Sequence, residues 1–135
     1  MEVKVESKIG VLRNDNGRIY GLFSDCNSFQ PFAAEARATN WRSETDTCSF
    51  TTEAGDVTIT IVERRPNELV KYSIDFAQSE YVYLWVQIKT GDNGDSRVKI
   101  TTKVSVNPMI GMFLSKPLKN GLDRIIDMLE QVRAC

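Results

Sequence analysis

This sequence contains no histidine, so any acid–base chemistry would need carboxylates, lysine, tyrosine or a thiol. The absence of histidine excludes Ser-His-Asp and Cys-His catalysis, and it excludes metal sites with histidine ligands. Tyr72 and Glu63 remain as candidates, because the alternation of their strands points both toward the predicted core. We interpret Tyr72 as a core tyrosine that needs one hydrogen-bond partner, with ligand anchoring as the alternative. Glu63 is interpreted as a solvated carboxylate at a sheet end.

The cysteines indicate neither a disulfide framework nor a metal site. Cys26, Cys48 and Cys135 are odd in number and irregular in spacing. We interpret them as free thiols in a reducing compartment. The segment Asp92-Asn93-Gly94-Asp95 lacks the ligand spacing of a calcium loop and is typical of a hairpin turn. The sequence therefore predicts no cofactor and no bound metal.

Length and charge limit the classes of partner. A chain of 135 residues predicts a single domain over residues 1–135. Its net charge of −1 provides no basic field for nucleic acid or an anionic membrane. No apolar run reaches the ~18 residues of a membrane span, and the N-terminus does not resemble a signal peptide. We expect a cytoplasmic protein with no nucleic-acid partner and no membrane span.

The C-terminal part of the sequence predicts one long helix over residues 108–133. Its apolar positions repeat at alternating spacings of four and three, which is typical of one buried helix face: Leu118, Leu122, Ile125, Leu129 and Val132. Pro117 is expected to kink this helix near Phe113. Gly121 is expected to allow a close approach of the helix to a sheet.

The rest of the chain alternates with a period of two, apart from two short helices. A first strand is predicted over residues 2–11, one short helix ends near residues 24–25, and a second covers residues 27–34. Six strands follow: residues 37–44, 47–53, 56–64, 69–77, 80–90 and 96–106. Because the connections are short, successive strands should pair antiparallel, with one apolar face toward the long helix.

This order of elements resembles the START-like superfamily, also called SRPBCC or birch-pollen-allergen-like. Several local stretches are similar to small bacterial members: Ser7-Lys8-Ile9-Gly10, Leu22-Phe23-Ser24-Asp25, Asp46-Thr47-Cys48-Ser49-Phe50, Leu84-Trp85-Val86-Gln87, Asn107-Pro108-Met109 and Lys116-Pro117-Leu118. The resemblance implies an α+β helix-grip fold, with a curved antiparallel sheet of about seven strands, two short helices and one long C-terminal helix. Its members include lipid and hormone binders, polyketide aromatase/cyclases and domains that stimulate heat-shock chaperones.

The resemblance also implies a cavity between the sheet and the long helix, and a curved sheet under a kinked helix would leave such a wedge. The predicted lining of this cavity consists of Phe50, Ile59, Ile61, Tyr72, Ile74, Leu84, Val86, Val98, Ile100, Met109, Met112 and Phe113. Residues 109–114 are apolar on too many faces for the sheet alone, and methionine adapts to irregular surfaces. We interpret them as a mobile apolar lid or, alternatively, as a helix start within the core.

One strand carries aromatic side chains on its polar face. Tyr81, Tyr83 and Trp85 form either a cross-strand patch shielded by lysine stems or a surface for self-association as a homodimer.

The sequence as a whole favours non-catalytic binding or carriage of a hydrophobic or amphipathic small molecule, such as a lipid. One alternative is a protein-interaction module that uses the Tyr81, Tyr83 and Trp85 face. The other is an enzyme similar to a polyketide cyclase or aromatase, which would need an inward acid or base pair.

Overall fold

The computed structural model describes residues 1–13, 15–76 and 79–134, with side chains described as far as residue 131. The predictions for Cys135, for residue 77 and for the side chain of Val132 lie outside the described residues. The strands are β1 (Glu2–Glu6), β2 (Gly10–Leu12), β3 (Thr39–Ser43), β4 (Thr47–Thr52), β5 (Gly55–Arg65), β6 (Leu69–Phe76), β7 (Ser79–Thr90) and β8 (Ser96–Val106). The helices are α1 (Asn16–Phe23), a 3-10 helix (Cys26–Phe29), α2 (Gln30–Glu35), α3 (Pro108–Gly111) and α4 (Ser115–Ala134).

All strands belong to one antiparallel sheet. Its order is β1-β8-β7-β6-β5-β4-β3, and β2 pairs with β8 beyond the end of β1. The six strands from β3 to β8 lie close to their predicted positions, because tight turns and a period-two pattern bound each of them. The predicted fold class, an α+β sheet of about seven strands with short helices and a long C-terminal helix, is confirmed.

The first predicted strand is two strands in the structure. Ser7 interrupts it: the Ser7 hydroxyl oxygen accepts a hydrogen bond from the Ile100 amide at 2.9 Å. The next amide, that of Lys8, turns away from the sheet and donates to a carboxylate oxygen of Asp123 on α4 at 2.6 Å. A side chain thus replaces a backbone acceptor, and the chain bends toward the helix before β2 begins.

The C-terminal segment is also interrupted. Pro117 was predicted to kink one continuous helix, but the structure contains two separate helices, α3 and α4. The proline ring clashes with the carbonyl four residues earlier, so a helix cannot continue through it, whereas the first helical turn tolerates it. The chain accordingly turns at residues 112–114, and α4 begins anew at Ser115 with Pro117 in its first turn. The long helix is confirmed, but as α4 alone.

The buried face of α4 lies on one side of the sheet. Leu122, Ile126 and Leu129 are buried, while Leu118 and Ile125 are half-buried. The helix contacts β1, β2 and β8. The strands further along the sheet are consequently left for the short helices to cover, and α1 packs on β6 and β7.

The close approach of the helix to the sheet occurs at Gly10, where we had expected Gly121. A methyl group added at Gly10 would lie 2.8 Å from the Cγ2 atom of Ile126, which is closer than packed atoms come. Gly121 is exposed, and a methyl group there would meet no atom within 4 Å. The prediction for Gly121 was wrong because this glycine lies on the solvent side of α4.

Replacing Gly121 by alanine is therefore expected to raise the free energy of unfolding by about 0.5–1 kcal/mol. Alanine restricts the unfolded chain and favours the helix, and nothing in the folded state opposes the added methyl group. Urea denaturation of the two proteins measures the difference. Gly21→Ala, an equally open position in α1, is the matched second site and should act in the same direction. A lower stability for Gly121→Ala would contradict the placement of this residue.

Candidate functional site

A cavity of about 170 Å³ lies beside α4, between the centre of the sheet and the short helices. Strands supply one wall of it, and α1, the 3-10 helix and α2 supply the other, with one residue from α4. The lining consists of Phe23, Phe29, Phe32, Ala33, Ala36, Trp41, Phe50, Ile59, Tyr72, Ile74, Leu84, Val86, Ile100 and Ile125. No side chain in this lining carries a charge.

The alternation and the register of the strands explain which of their side chains form one wall of the cavity. Alternate residues of a strand point to the same face, and directly paired residues lie side by side. Ile59 pairs with Ile74, Tyr72 with Leu84, and Val86 with Ile100. These cross-strand pairs form a continuous apolar surface under the short helices.

Aromatic rings hold the helical wall in place. The Phe29 ring meets the Tyr72 ring edge-on, with ring centroids 5.6 Å apart. The ring centroids of Phe23 and Phe29 are 6.4 Å apart. At the β3 side, Trp41 stacks on Phe50 at 5.9 Å. These separations are favourable for aromatic pairs, so the rings order the cavity wall as well as line it.

The Tyr72 hydroxyl is the one hydroxyl and the one titratable group in the lining, and it already has a hydrogen-bond partner. Tyr72 is 2% exposed, and its hydroxyl donates a hydrogen bond to the backbone carbonyl of Phe23. Burial raises the pKa of Tyr72 well above its ordinary value, and the neighbouring thiols act in the same direction. The hydroxyl therefore stays protonated, and its proton is held by the Phe23 carbonyl.

The second candidate for acid–base chemistry lies elsewhere. The ladder between β5 and β6 shifts register between Ile61 and Glu63. The Glu63 carboxylate accepts a hydrogen bond from the Arg65 guanidinium at 2.9 Å. Glu63 is absent from the cavity lining, so it cannot form an acid–base pair with Tyr72 there.

The strand residues predicted for the cavity lie in it, with two exceptions. Phe50, Ile59, Tyr72, Ile74, Leu84, Val86 and Ile100 all contribute to its wall. Ile61 and Val98 have the predicted inward phase, but they are buried in the packed core outside the cavity. The helical wall was missed, although the phenylalanines at positions 23, 29 and 32 were a visible signal.

The predictions for Met109, Met112 and Phe113 need correction. The structure places these side chains outside the cavity lining, with exposed fractions of 76%, 72% and 76%. The inward side of this segment is Gly111, where an added methyl group would lie 2.6 Å from the Met1 sulfur. Because Met1 occupies that side and the chain turns at residues 112–114, the large apolar side chains point away from the protein.

Tyr81, Tyr83 and Trp85 form a row along β7, with neighbouring ring centroids 5.6 Å and 6.1 Å apart. The Lys71 ammonium lies 4.8 Å from the Tyr83 ring centre and 5.3 Å from that of Trp85. Lys103 lies 5.8 Å from the Trp85 ring centre. Such cation–π contacts stabilise exposed rings, and they match the predicted lysine shielding. Self-association through this face stays a prediction.

In the part of the chain described, neither a candidate metal cluster nor a membrane-spanning helix is found. Its histidine-free side chains bring no three cysteines or carboxylates together in an arrangement that could hold a metal ion. Among the described helices, none combines the length and the apolar character needed to cross a bilayer.

Neither a protein-family model nor a curated protein matches the sequence, but solved structures match the fold over nearly its full length. Norcoclaurine synthase from Thalictrum flavum matches with a TM-score of 0.72 at 8% identity, covering 97% of this chain and 87% of that one. Ara h 8.0201 matches with a TM-score of 0.64 at 11% identity, covering 96% and 97%. A protein from Deinococcus radiodurans matches with a TM-score of 0.60 at 14% identity, covering 96% and 98%.

The chain has the helix-grip fold. The resemblance to the START-like superfamily, drawn from local stretches of sequence, is thereby confirmed for the architecture. At identities this low the likeness shows the fold alone, so function must be argued from the cavity itself.

Proposed function

We propose that this helix-grip domain binds a compact, uncharged apolar molecule of one or two rings in the cavity, without catalysing a reaction on it. The observation that carries the proposal is a cavity of about 170 Å³ whose lining residues are apolar or aromatic throughout. Small-molecule sites are typically concave and mainly apolar, with aromatic side chains in their walls.

The volume favours a small ligand. An engineered cavity of roughly 150 Å³, lined by leucine, isoleucine and phenylalanine, stays free of water and binds benzene. The cavity here is of similar size and similar composition. A long acyl chain would exceed it unless the wall moved, so a compact ring system is a better fit than an extended lipid.

The chemistry of the wall favours binding over catalysis. General acid–base catalysis needs a titratable group within hydrogen-bond reach of the reacting atom. Tyr72 is the one such group in the lining, and its proton is held by the Phe23 carbonyl. Norcoclaurine synthase shares the fold, but a shared fold does not supply reactive groups.

Titration with naphthalene, followed by amide NMR shifts, tests the proposal. We expect shifts at cavity residues, and much weaker binding of decanoate, whose charge would be buried without a partner. If saturating naphthalene moves no amide of the cavity wall, the binding proposal is wrong.

Ala33→Leu should weaken naphthalene binding by about fivefold or more, because the added carbons occupy ligand space. Ala33 is a buried residue of α2 in the cavity lining. Overpacking of this kind costs about 1–3 kcal/mol, and 1.4 kcal/mol corresponds to a factor of ten. Ala34→Leu is the matched control, since the neighbouring Ala34 is exposed and lies outside the lining. Equal affinities for the two variants would place the ligand somewhere else.

A further inference from the structure

Four apolar side chains cluster on the surface and have no role in the proposed binding function. Met109, Met112 and Phe113 are 76%, 72% and 76% exposed, and Ile110 is 39% exposed. We call these four residues the apolar tip; they belong to α3 and to the turn that follows it. Single exposed apolar side chains are common on folded proteins, whereas a cluster of them marks an interaction surface.

The exposure of the apolar tip indicates that it is convex. A side chain in a groove is covered by the walls of the groove, so three large side chains that are each more than 70% exposed must project beyond their surroundings. The side that faces the protein is Gly111, which lies against the Met1 side chain. A projecting apolar surface needs either a partner with a matching concave pocket or a medium that deforms around it.

The backbone of this segment satisfies its own hydrogen-bond donors. The Met109 amide donates to the Asn107 side-chain oxygen at 2.8 Å. The amides of Gly111, Met112 and Phe113 donate to carbonyls of residues 107–110 at 2.9, 3.1 and 3.1 Å. An unpaired amide is costly in hydrocarbon. Because these amides are paired within the segment, the apolar tip can leave water with little loss of backbone hydrogen bonding.

The charges carried by this part of the chain are positive. Residues 107–122 contain two lysines and no carboxylate. Lys119 pairs with Asp123 at 2.9 Å, whereas Lys116 is exposed and takes part in none of the ion pairs among the described residues. The net charge of −1 is a sum over the whole chain and does not describe this segment. Lysines beside a membrane surface are attracted by anionic lipid headgroups.

We propose that the apolar tip docks on a lipid bilayer with anionic headgroups and inserts Met109, Met112 and Phe113 among the lipid chains. A bilayer deforms around projecting side chains, so it needs no preformed pocket, and methionine adapts to irregular surroundings. The Lys116 side chain keeps its ammonium at the headgroups, as lysines beside apolar segments do. The contact is peripheral, since it buries one face of a short segment at the interface.

Docking would bring the cavity to the place where its ligand concentrates. A compact, uncharged apolar molecule leaves water for the interior of a bilayer, so a docked protein would meet its ligand at high local concentration. This consequence rests on the proposed binding function, whereas docking itself does not.

Co-sedimentation with vesicles tests the proposal. We expect tighter binding to vesicles of phosphatidylcholine and phosphatidylglycerol in equal parts than to phosphatidylcholine alone. Phe113→Ser and Met112→Ser should each weaken binding by about tenfold, because an apolar side chain no longer leaves water. Val62→Ser is the matched control, since Val62 is a 51% exposed apolar residue on β5, and it should bind like the parent protein.

Lys116→Gln separates the electrostatic contribution from the apolar one. Affinity for the mixed vesicles should fall by about fivefold, which corresponds to one lysine beside an anionic surface. Binding to phosphatidylcholine alone should stay unchanged, because that surface carries no net charge. An equal loss on both kinds of vesicle would contradict the role given to Lys116.

Phe113→Trp reports whether the apolar tip enters the lipid. The added indole fluorescence should shift to shorter wavelengths on vesicles and should be quenched by lipids with brominated chains. The parent protein, which contains Trp41 and Trp85, gives the background. Binding without this shift and quenching would place the membrane contact on another surface and overturn the proposal.

Three further results would overturn it. The first is a parent protein that stays in the supernatant at every lipid concentration, and the second is equal vesicle affinity of Phe113→Ser and Val62→Ser. The third is a dimer in lipid-free buffer that Phe113→Ser converts to a monomer, since a second copy would then cover the apolar tip. If the protein binds vesicles but naphthalene moves no amide of the cavity wall, the binding function fails and the docking surface stands.

Discussion

Truncating Ile126 to alanine is expected to lower the free energy of unfolding by about 2–5 kcal/mol. Ile126 is 1% exposed and lies on the buried face of α4, directly over Gly10 of β2. The loss combines the transfer free energy of the removed carbons with the cost of the space they leave. Urea denaturation measures it, and an unchanged denaturant slope would show that the unfolding transition is comparable.

Ile125→Ala provides the matched control. Ile125 is the preceding residue of the same helix and loses the same atoms, but it is half-buried and borders the cavity. We expect a smaller loss of stability and a change in ligand affinity instead. Equal losses at the two positions would contradict the assignment of Ile126 to the packed face and Ile125 to the cavity.

Gly10→Ala is expected to lower the free energy of unfolding by about 1–3 kcal/mol, through overpacking. The added methyl group would lie 2.8 Å from the Ile126 Cγ2 atom, and Gly10 and Ile126 are both buried. The helix must move outward or the Ile126 side chain must leave its preferred rotamer. Thermal or urea denaturation detects either response as lost stability.

The double variant identifies the cause. Gly10→Ala combined with Ile126→Ala removes the clashing atom, so the two losses should sum to more than the loss of the double variant. Contacting residues commonly deviate from additivity by about 0.5–3 kcal/mol. Strict additivity would mean that Gly10→Ala acts through the unfolded chain or through β2 alone, and the close contact would have no energetic role.

The sheet was predictable because each strand from β3 to β8 alternates with a period of two and is bounded by turn residues. The interruptions at Ser7 and Pro117 depend on tertiary contacts. Ser7 fits the inward phase of a strand, and the sequence does not reveal that its hydroxyl accepts from the Ile100 amide. Pro117 was recognised as a helix disruptor, but whether a helix bends or restarts depends on what packs against it.

The candidate site was predictable on one wall only. Alternation predicted an inward face for Ile59, Tyr72 and Leu84, which line the cavity, since a strand residue has two choices of face. Trp41 and Ala33 were missed because their positions depend on how short helices and an edge strand dock on the sheet. Phe113 was wrongly assigned because apolar side chains are usually buried, but a folded surface also carries many apolar atoms.

A wall whose surface is almost entirely apolar limits how selective the proposed binding can be. A site that pairs with a ligand hydroxyl can reject analogues lacking it by about 10⁴-fold, whereas an apolar pocket distinguishes one methylene by only about 10–200-fold. Here the one hydroxyl in the wall is already committed to the Phe23 carbonyl. Molecules of similar bulk and outline would therefore compete for the same space, and the relative abundance of these molecules, more than their polar chemistry, would decide which one occupies the protein.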